Sequence, residues 1–275
     1  MAEASQPYAL GHSKDEMERL SRQAQLLAPF TRQVFQQAGI SHGMRVLDVG
    51  CGAGDVAFLV AGLVGETGAV IGADRAGAAV QWATARAASL NIESVRFIEG
   101  DPTELQFDTA FDAIVGRLVL MYCPDPVLTL RKLAQKLRPG GLIAFQEVDF
   151  ENARAFPPIP IFDRCVGWIS KTFRATGARP RLGVELYSLF LDAGFTTASM
   201  RSDVLIGGGP DAEVYEMVSD IVRSLLPMME KLNIATASEV RIETLSQRMR
   251  DEVVAGKAVV QSPAFIGAWS RSHAH

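Results

Sequence analysis

Residues Val46-Leu47-Asp48-Val49-Gly50-Cys51-Gly52-Ala53-Gly54-Asp55 constrain this chain more than any other stretch. An apolar run of strand composition ends in three glycines at alternate positions, and an apolar helical pattern begins at once. That combination describes a strand, a tight loop and a helix, with a backbone that lets a ligand approach closely. The spacing discriminates between ligands. A pyrophosphate-binding loop reads G-x-G-x-x-G and would put its last glycine at position 55. Here position 55 is Asp, and the third glycine comes one residue earlier. An acid in the first helical turn repels a phosphate and favours a cationic or zwitterionic group. The loop therefore suits an amino-acid moiety better than a dinucleotide.

From Arg45 onward strand and helix patterns alternate, which implies a parallel sheet with helices on both faces. Val70-Ile71-Gly72-Ala73-Asp74-Arg75 reads as a second strand ending in an acid. Val95-Arg96-Phe97-Ile98-Glu99-Gly100-Asp101-Pro102 reads as a third, and Phe111-Asp112-Ala113-Ile114-Val115-Gly116 as a fourth. Leu137-Arg138-Pro139-Gly140-Gly141-Leu142-Ile143-Ala144-Phe145 reads as a helix end, a turn and a fifth strand. With these elements in this order over residues 45–150, the chain resembles the class I S-adenosylmethionine (SAM)-dependent methyltransferases, in particular bacterial enzymes of quinone and secondary-metabolite pathways. The resemblance implies a doubly wound α/β fold with a mostly parallel, seven-stranded, Rossmann-like sheet. It also implies SAM as cofactor and S-adenosylhomocysteine as product.

Under that resemblance, Gly50, Cys51, Gly52 and Gly54 form the cofactor loop, with Cys51 a small filler. Asp48 caps loop amides and orients the cofactor's ammonium. Asp74 accepts the ribose hydroxyls, Asp101 accepts from the adenine amino group, and Pro102 supplies an apolar wall. Arg75 stands beside the adenosine end. Arg117 follows the fourth strand, where it is expected to clamp an anionic part of the acceptor or to bond the cofactor or a loop carbonyl. Glu147 and Asp149 alternate onto one face at the end of the fifth strand, where a carboxylate can take a proton from an acceptor. His12, with Tyr8 near it, is the remaining candidate base.

The flanks are more than a minimal domain needs. Residues 1–40 read as a helical lid, with Pro29 separating two helices. Residues 41–275 read as the SAM-binding domain, with helical insertions at about 151–180 and 208–256 acting as a cap. Helices are expected over 161–176, 183–193, 211–232 and 237–254, with strands near 197–205 and 264–269. Pro157-Pro158 and Gly207-Gly208-Gly209 read as breaks.

The net charge of −4 and the lack of a Lys/Arg cluster argue against nucleic acid as partner. The three cysteines, Cys51, Cys123 and Cys165, are scattered without a CxxC, against a disulfide framework or a metal site and for a reducing compartment. The polar N-terminus has no signal-like apolar run, and no run suits a membrane span. The expectation is a cytoplasmic methyltransferase acting on a small-molecule acceptor at an O, N or C nucleophile, with a homodimer left open. Two rivals use the same pocket: a SAM-binding enzyme of cyclisation or rearrangement, and a catalytically silent SAM-binding partner subunit.

Overall fold

A computed structural model describes residues 14–273, with side chains from residue 24 onward. In chain order the elements are α1 (Lys14–Ala38), β1 (Arg45–Val49), α2 (Asp55–Val64), β2 (Ala69–Asp74), α3 (Gly77–Ser89), β3 (Val95–Glu99), β4 (Phe111–Arg117), α4 (Pro126–Ala134), β5 (Leu137–Asp149), β6 (Arg154–Phe156) and α5 (Pro160–Ala175). There follow α6 (Leu182–Asp192), β7 (Ser199–Asp203), β8 (Ile206–Gly207), α7 (Val214–Lys231), α8 (Ala237–Val240), α9 (Leu245–Ala255), β9 (Val259–Gln261) and β10 (Ala264–Arg271).

The main sheet has seven strands in the order β3-β2-β1-β4-β5-β10-β7, and β3 to β5 pair in parallel. Its strand order reverses between β1 and β4. In open α/β sheets the crevice beyond the carboxyl ends of the strands at such a reversal is where ligands bind. The central strands are covered on both faces, which is why they read as near-continuous apolar runs rather than alternating ones. Val46, Ala113, Val115, Leu142 and Ala144 pack with Val56, Leu59, Val60 and Val64 of α2 and with Val34, Phe35 and Ala38 of α1. At the start of α4, Asp125 Oδ1 accepts from Leu128 N and Pro126 occupies the first turn, as its Asp-Pro sequence favours.

The contacts divide the described chain into two units: residues 14–147, 185–201 and 266–273, and residues 148–184 and 202–265. The second unit has its own architecture. Helix α5 packs against α7 and α9, with Phe162, Ile169, Phe173, Val222, Leu225 and Met249 buried. A three-stranded antiparallel sheet, β6-β9-β8, completes it.

Four local expectations change. Pro29 does not break α1, which is continuous through it. The loss of one backbone donor is outweighed by the buried Leu27, Thr31, Val34 and Phe35 that hold this face of the helix. The Pro139-Gly140-Gly141 segment is no turn after a long helix. Helix α4 has already ended at Ala134, and the segment lies within β5 as a bulge, where the register jumps from Phe111–Leu137 to Ala113–Leu142. The helix expected over 237–254 is two helices, separated by Arg241 at φ +46° and a short 3-10 turn. Gly207 belongs to a strand, and that small sheet escaped notice because its strands span only two or three residues each.

Replacement of a central core residue shows where the stability sits. Ile114→Ala, at a fully buried position in β4, should cost about 2–5 kcal/mol in urea unfolding. Leu128→Ala on the exposed side of α4 should stay within about 0.5 kcal/mol.

Candidate functional site

Gly50, Gly52 and Gly54 stand at φ +64°, +51° and +88°, a left-handed conformation that side-chain-bearing residues rarely adopt. Two of them are also hemmed in. A Cβ on Gly50 would lie 2.6 Å from Val119, and one on Gly54 2.8 Å from Phe97. A Cβ on Gly52 would meet nothing within 4 Å, so the loop presents bare backbone to open space there. Gly50 N and Cys51 N donate to Ala73 O at 2.8 and 3.1 Å. Gly52 N donates to Asp74 Oδ2 and Ala76 N to Asp74 Oδ1, each at 2.9 Å. Asp74 thus ties the loop to the end of β2, and its two oxygens keep lone pairs for further donors.

Asp48 lies under this loop, 1% exposed. It does not cap the loop amides: neither carboxylate oxygen has a hydrogen-bond partner. The Ala57 amide exerts an electrostatic pull without reaching hydrogen-bonding geometry. Burial pushes the Asp48 carboxyl well above the usual carboxylate range, the nearby Arg117 guanidinium opposes this, and the Asp74 and Asp55 carboxylates add to it.

Arg117, expected to clamp an acceptor or to bond the cofactor or a loop carbonyl, is drawn inward. Its Nη1 donates to Thr31 Oγ1 of α1 at 3.1 Å. Burial lowers its pKa, while Asp55 and Asp48 support its charge. Thr31 Oγ1, with one proton to give, lies 3.0 Å from Leu27 O and 2.7 Å from the Gln146 side-chain amide. Gln146 Nε2 is buried and unpartnered.

Glu147 and Asp149 are not a solvated strand end, because both are buried. Glu147 Oε1 accepts from Val119 N at 2.9 Å and Leu120 N at 2.7 Å, while Oε2 is buried without a partner. Burial raises its pKa to about 7 against the pull of those amides. Asp149 Oδ1 accepts from Glu151 N and faces Arg181 at 3.7 Å. Burial raises it too, with Arg181 working the other way. Each carboxylate thus fastens a local turn.

Asp101 Oδ1 accepts from Thr103 N and Oγ1, and its Oδ2 pairs with Arg75 at 2.5 Å. Burial works to raise this acid, but the Thr103 hydrogen bonds and Arg75 outweigh it and hold it low. Arg75 is therefore committed to Asp101. Cys51 and Pro102 are buried, and desolvation drives the Cys51 thiol far up, as a filler requires. His12 and Tyr8 lie outside the described residues. Among the described residues no cluster of three His, Cys, Asp or Glu side chains could hold a metal ion.

Arg86 of α3 went unnoticed in the sequence. It donates to Ala53 O at 2.5 Å and Asp55 Oδ1 at 2.8 Å, and it stacks on Phe58 at 5.1 Å. The acid at position 55 thus has a partner within the fold. Thr31 and Gln146 were missed as well. A lone Thr within a helix and a Gln within an apolar strand carry no spacing signal.

The role of Glu147 is testable by stability. Its folded pKa of about 7 stands above the ordinary 4.5. Its contribution is therefore most favourable below pH ~4.5 and is lost as pH rises toward 7. Glu147→Gln keeps an acceptor oxygen for the two amides and removes the charge. Urea unfolding should show the variant more stable than wild type at pH 8, by up to about 3 kcal/mol, and little changed at pH 5.

Residues 40–174 match a methyltransferase-domain family model. A demethylmenaquinone methyltransferase from Staphylococcus aureus is 29% identical over 189 residues, which cover 62% of this chain and 76% of that protein. Among solved structures, the YcgJ protein from Bacillus subtilis superposes with a TM-score of 0.60 at 21% identity, over 88% of this chain and 97% of that one. The cyclase SpnF superposes with a TM-score of 0.54 at 21% identity, over 91% and 82%. The glycine loop, the doubly wound sheet and these similarities agree in placing a SAM-dependent methyltransferase domain over residues 40–174.

Proposed function

We propose that the enzyme methylates a small-molecule acceptor, with Asp48, the Gly50–Gly54 loop, Asp74 and Asp101 holding the cofactor. One observation carries the assignment: a buried carboxylate with no partner lies beneath a loop whose central glycine opens onto free space. An uncompensated buried carboxylate is costly, and the ammonium of an amino acid would satisfy it. Asp74, already fixed by two loop amides, has lone pairs left for the ribose hydroxyls. Asp101 and the buried Pro102 form the adenine end, with Arg75 keeping Asp101 ionised.

When bound, the cofactor supplies a methyl group already activated on a sulfonium. The chain's own residues need only bind, align and exclude water. Alignment of reacting atoms is worth ~7–11 kcal/mol of barrier, so the reading does not require a side-chain base. This agrees with the turn-fastening contacts of Glu147 and Asp149. We infer that the acceptor is a small organic molecule, of the kind the name of the S. aureus relative describes. SpnF, named a cyclase, shares the fold, so fold alone does not separate methyl transfer from cyclisation. Product analysis does: methyl transfer releases one S-adenosylhomocysteine per turnover, and a cyclisation releases none.

S-adenosylhomocysteine should bind and raise the melting temperature, with about 2.7 kcal/mol of stabilisation at a hundredfold excess over Kd. NADH should produce no shift. Asp74→Ala should weaken binding by at least tenfold in calorimetry, since each hydrogen bond to a charged group is worth ~1.5–3 kcal/mol. A melting shift with NADH and none with S-adenosylhomocysteine would overturn this reading.

A further inference from the structure

Glu147 is a costly way to fasten a turn. Its Oε1 accepts from Val119 N and Leu120 N, a task open to a neutral amide oxygen as well. Its Oε2 is buried with no partner. The groups that favour its charge are the amides of Val119, Leu120 and Met121, and no cation is among them. A carboxylate withdrawn from water without a cation is expensive, so the charge itself calls for a reason beyond the turn.

Position supplies one. Val49 of β1 is in register with Gly116 of β4, and Gly116 with Phe145 of β5. Glu147 follows Phe145 by two residues, so its backbone stands level with the start of the glycine loop, two strand spacings or about 10 Å away. The turn that Glu147 holds lies against that loop, with Val119 only 2.6 Å from where a Cβ on Gly50 would stand. The other ionisable groups nearby come from four places. The turn itself carries the Tyr122 phenol and the Cys123 thiol, which burial, with Glu147 adding to it, pushes up to about 11. Arg117 of β4 is in register with Gln146 and so projects to the opposite face. Asp149 lies two residues further along β5 itself, and β10 brings Arg271, bonded to Gly140 O at the other end of β5.

The methyl-bearing cofactor and its product differ by one charge. The sulfonium is positive and the sulfide left after transfer is neutral, while the ammonium, carboxylate, ribose and adenine are common to both. The sulfur joins the amino-acid end to the ribose, so on the cofactor reading above it falls between Asp48 with its loop and Asp74. We infer that Glu147 is a specificity-determining residue, whose buried charge selects the sulfonium form of the cofactor over the neutral product. Methyl transfer then loosens the spent cofactor by removing the charge that Glu147 favours. The inference rests on the cofactor reading. Glu147 acts through space and touches no reacting atom.

The test is calorimetry of SAM and of S-adenosylhomocysteine, without acceptor, between about pH 5.5 and 8. In the free protein burial holds the Glu147 carboxyl at about 7. A nearby sulfonium draws it down, and a sulfide does not. Glu147 is protonated at the acid end and indifferent to the two ligands; at the alkaline end it is ionised and favours SAM. The ratio of the Kd for S-adenosylhomocysteine to the Kd for SAM should therefore rise by about 3–10-fold with pH, as a unit charge ~10 Å away warrants at an effective dielectric constant of about 20 or somewhat more. Glu147→Gln keeps an acceptor for the two amides and should hold the ratio within about twofold across the range. A residue that only holds the turn would weaken both ligands alike, so a pH-dependent ratio left intact in a folded Glu147→Gln variant would overturn the inference. Thermal melting and circular dichroism establish that the variant is folded. Wild type gives a second reading that needs no variant: near pH 7, in buffers of different ionisation enthalpy, SAM should release more protons per site than S-adenosylhomocysteine. Equal release, or a wild-type ratio independent of pH, would overturn the inference and leave the cofactor reading standing. Failure of both ligands to bind wild type would overturn the cofactor reading itself.

Discussion

Between Val49 and Asp55 the backbone enters the left-handed region three times in five residues, and the first unit is organised around keeping it there. Asp74 holds the loop from β2, Arg86 holds it from α3, and Val119 fills the space beside Gly50. Val119 is itself fixed, because Glu147 accepts its amide and that of Leu120 from the end of β5. The residue before it, Leu118, stands at φ +56°, a conformation that costs energy outside glycine and needs such support. A loop held by Asp74, Arg86 and Val119 is preorganised, so little ordering entropy remains to be lost on binding.

Beneath that loop the sheet carries charge where apolar packing would be more stable. Asp48 and Glu147 are removed from water and Arg117 is partly so, and each is shifted toward its neutral form. A buried charge without a partner is among the largest single penalties a fold can carry. Glu147 recovers part of it through two backbone amides. Asp48 has no hydrogen-bond partner within the chain and feels only the field of Arg117 and the Ala57 amide. Strongly perturbed groups gathered at the end of a parallel sheet are the pattern on which the proposed cofactor site rests.

Much of this was legible in the residues. The glycine spacing, the acids closing β2 and β3, and the apolar runs of β1, β4 and β5 announced the sheet and its loop, because backbone conformation and two-sided burial restrict residue type strongly. What escaped was set by contacts distant in sequence. Arg86 meets Asp55 across 31 positions, and Thr31 meets Gln146 across 115. No periodicity encodes such pairs. Glu147 was visible as an acid at a strand end, but whether such an acid faces solvent or a turn depends on where the chain after β4 folds back. Pro29 misled for a related reason: local propensity favoured a break, and tertiary burial prevailed.

The cofactor's ammonium would supply the partner that the buried Asp48 carboxyl lacks within the fold. Calorimetric titration with S-adenosylhomocysteine between pH 5 and 8, in buffers of different ionisation enthalpy, measures it most directly. Burial pushes the Asp48 carboxyl up in the free protein, and an adjacent ammonium draws it down again. Wild type should therefore release protons on binding, and Asp48→Asn should release none. Binding whose heat is independent of the buffer at every pH would contradict the account.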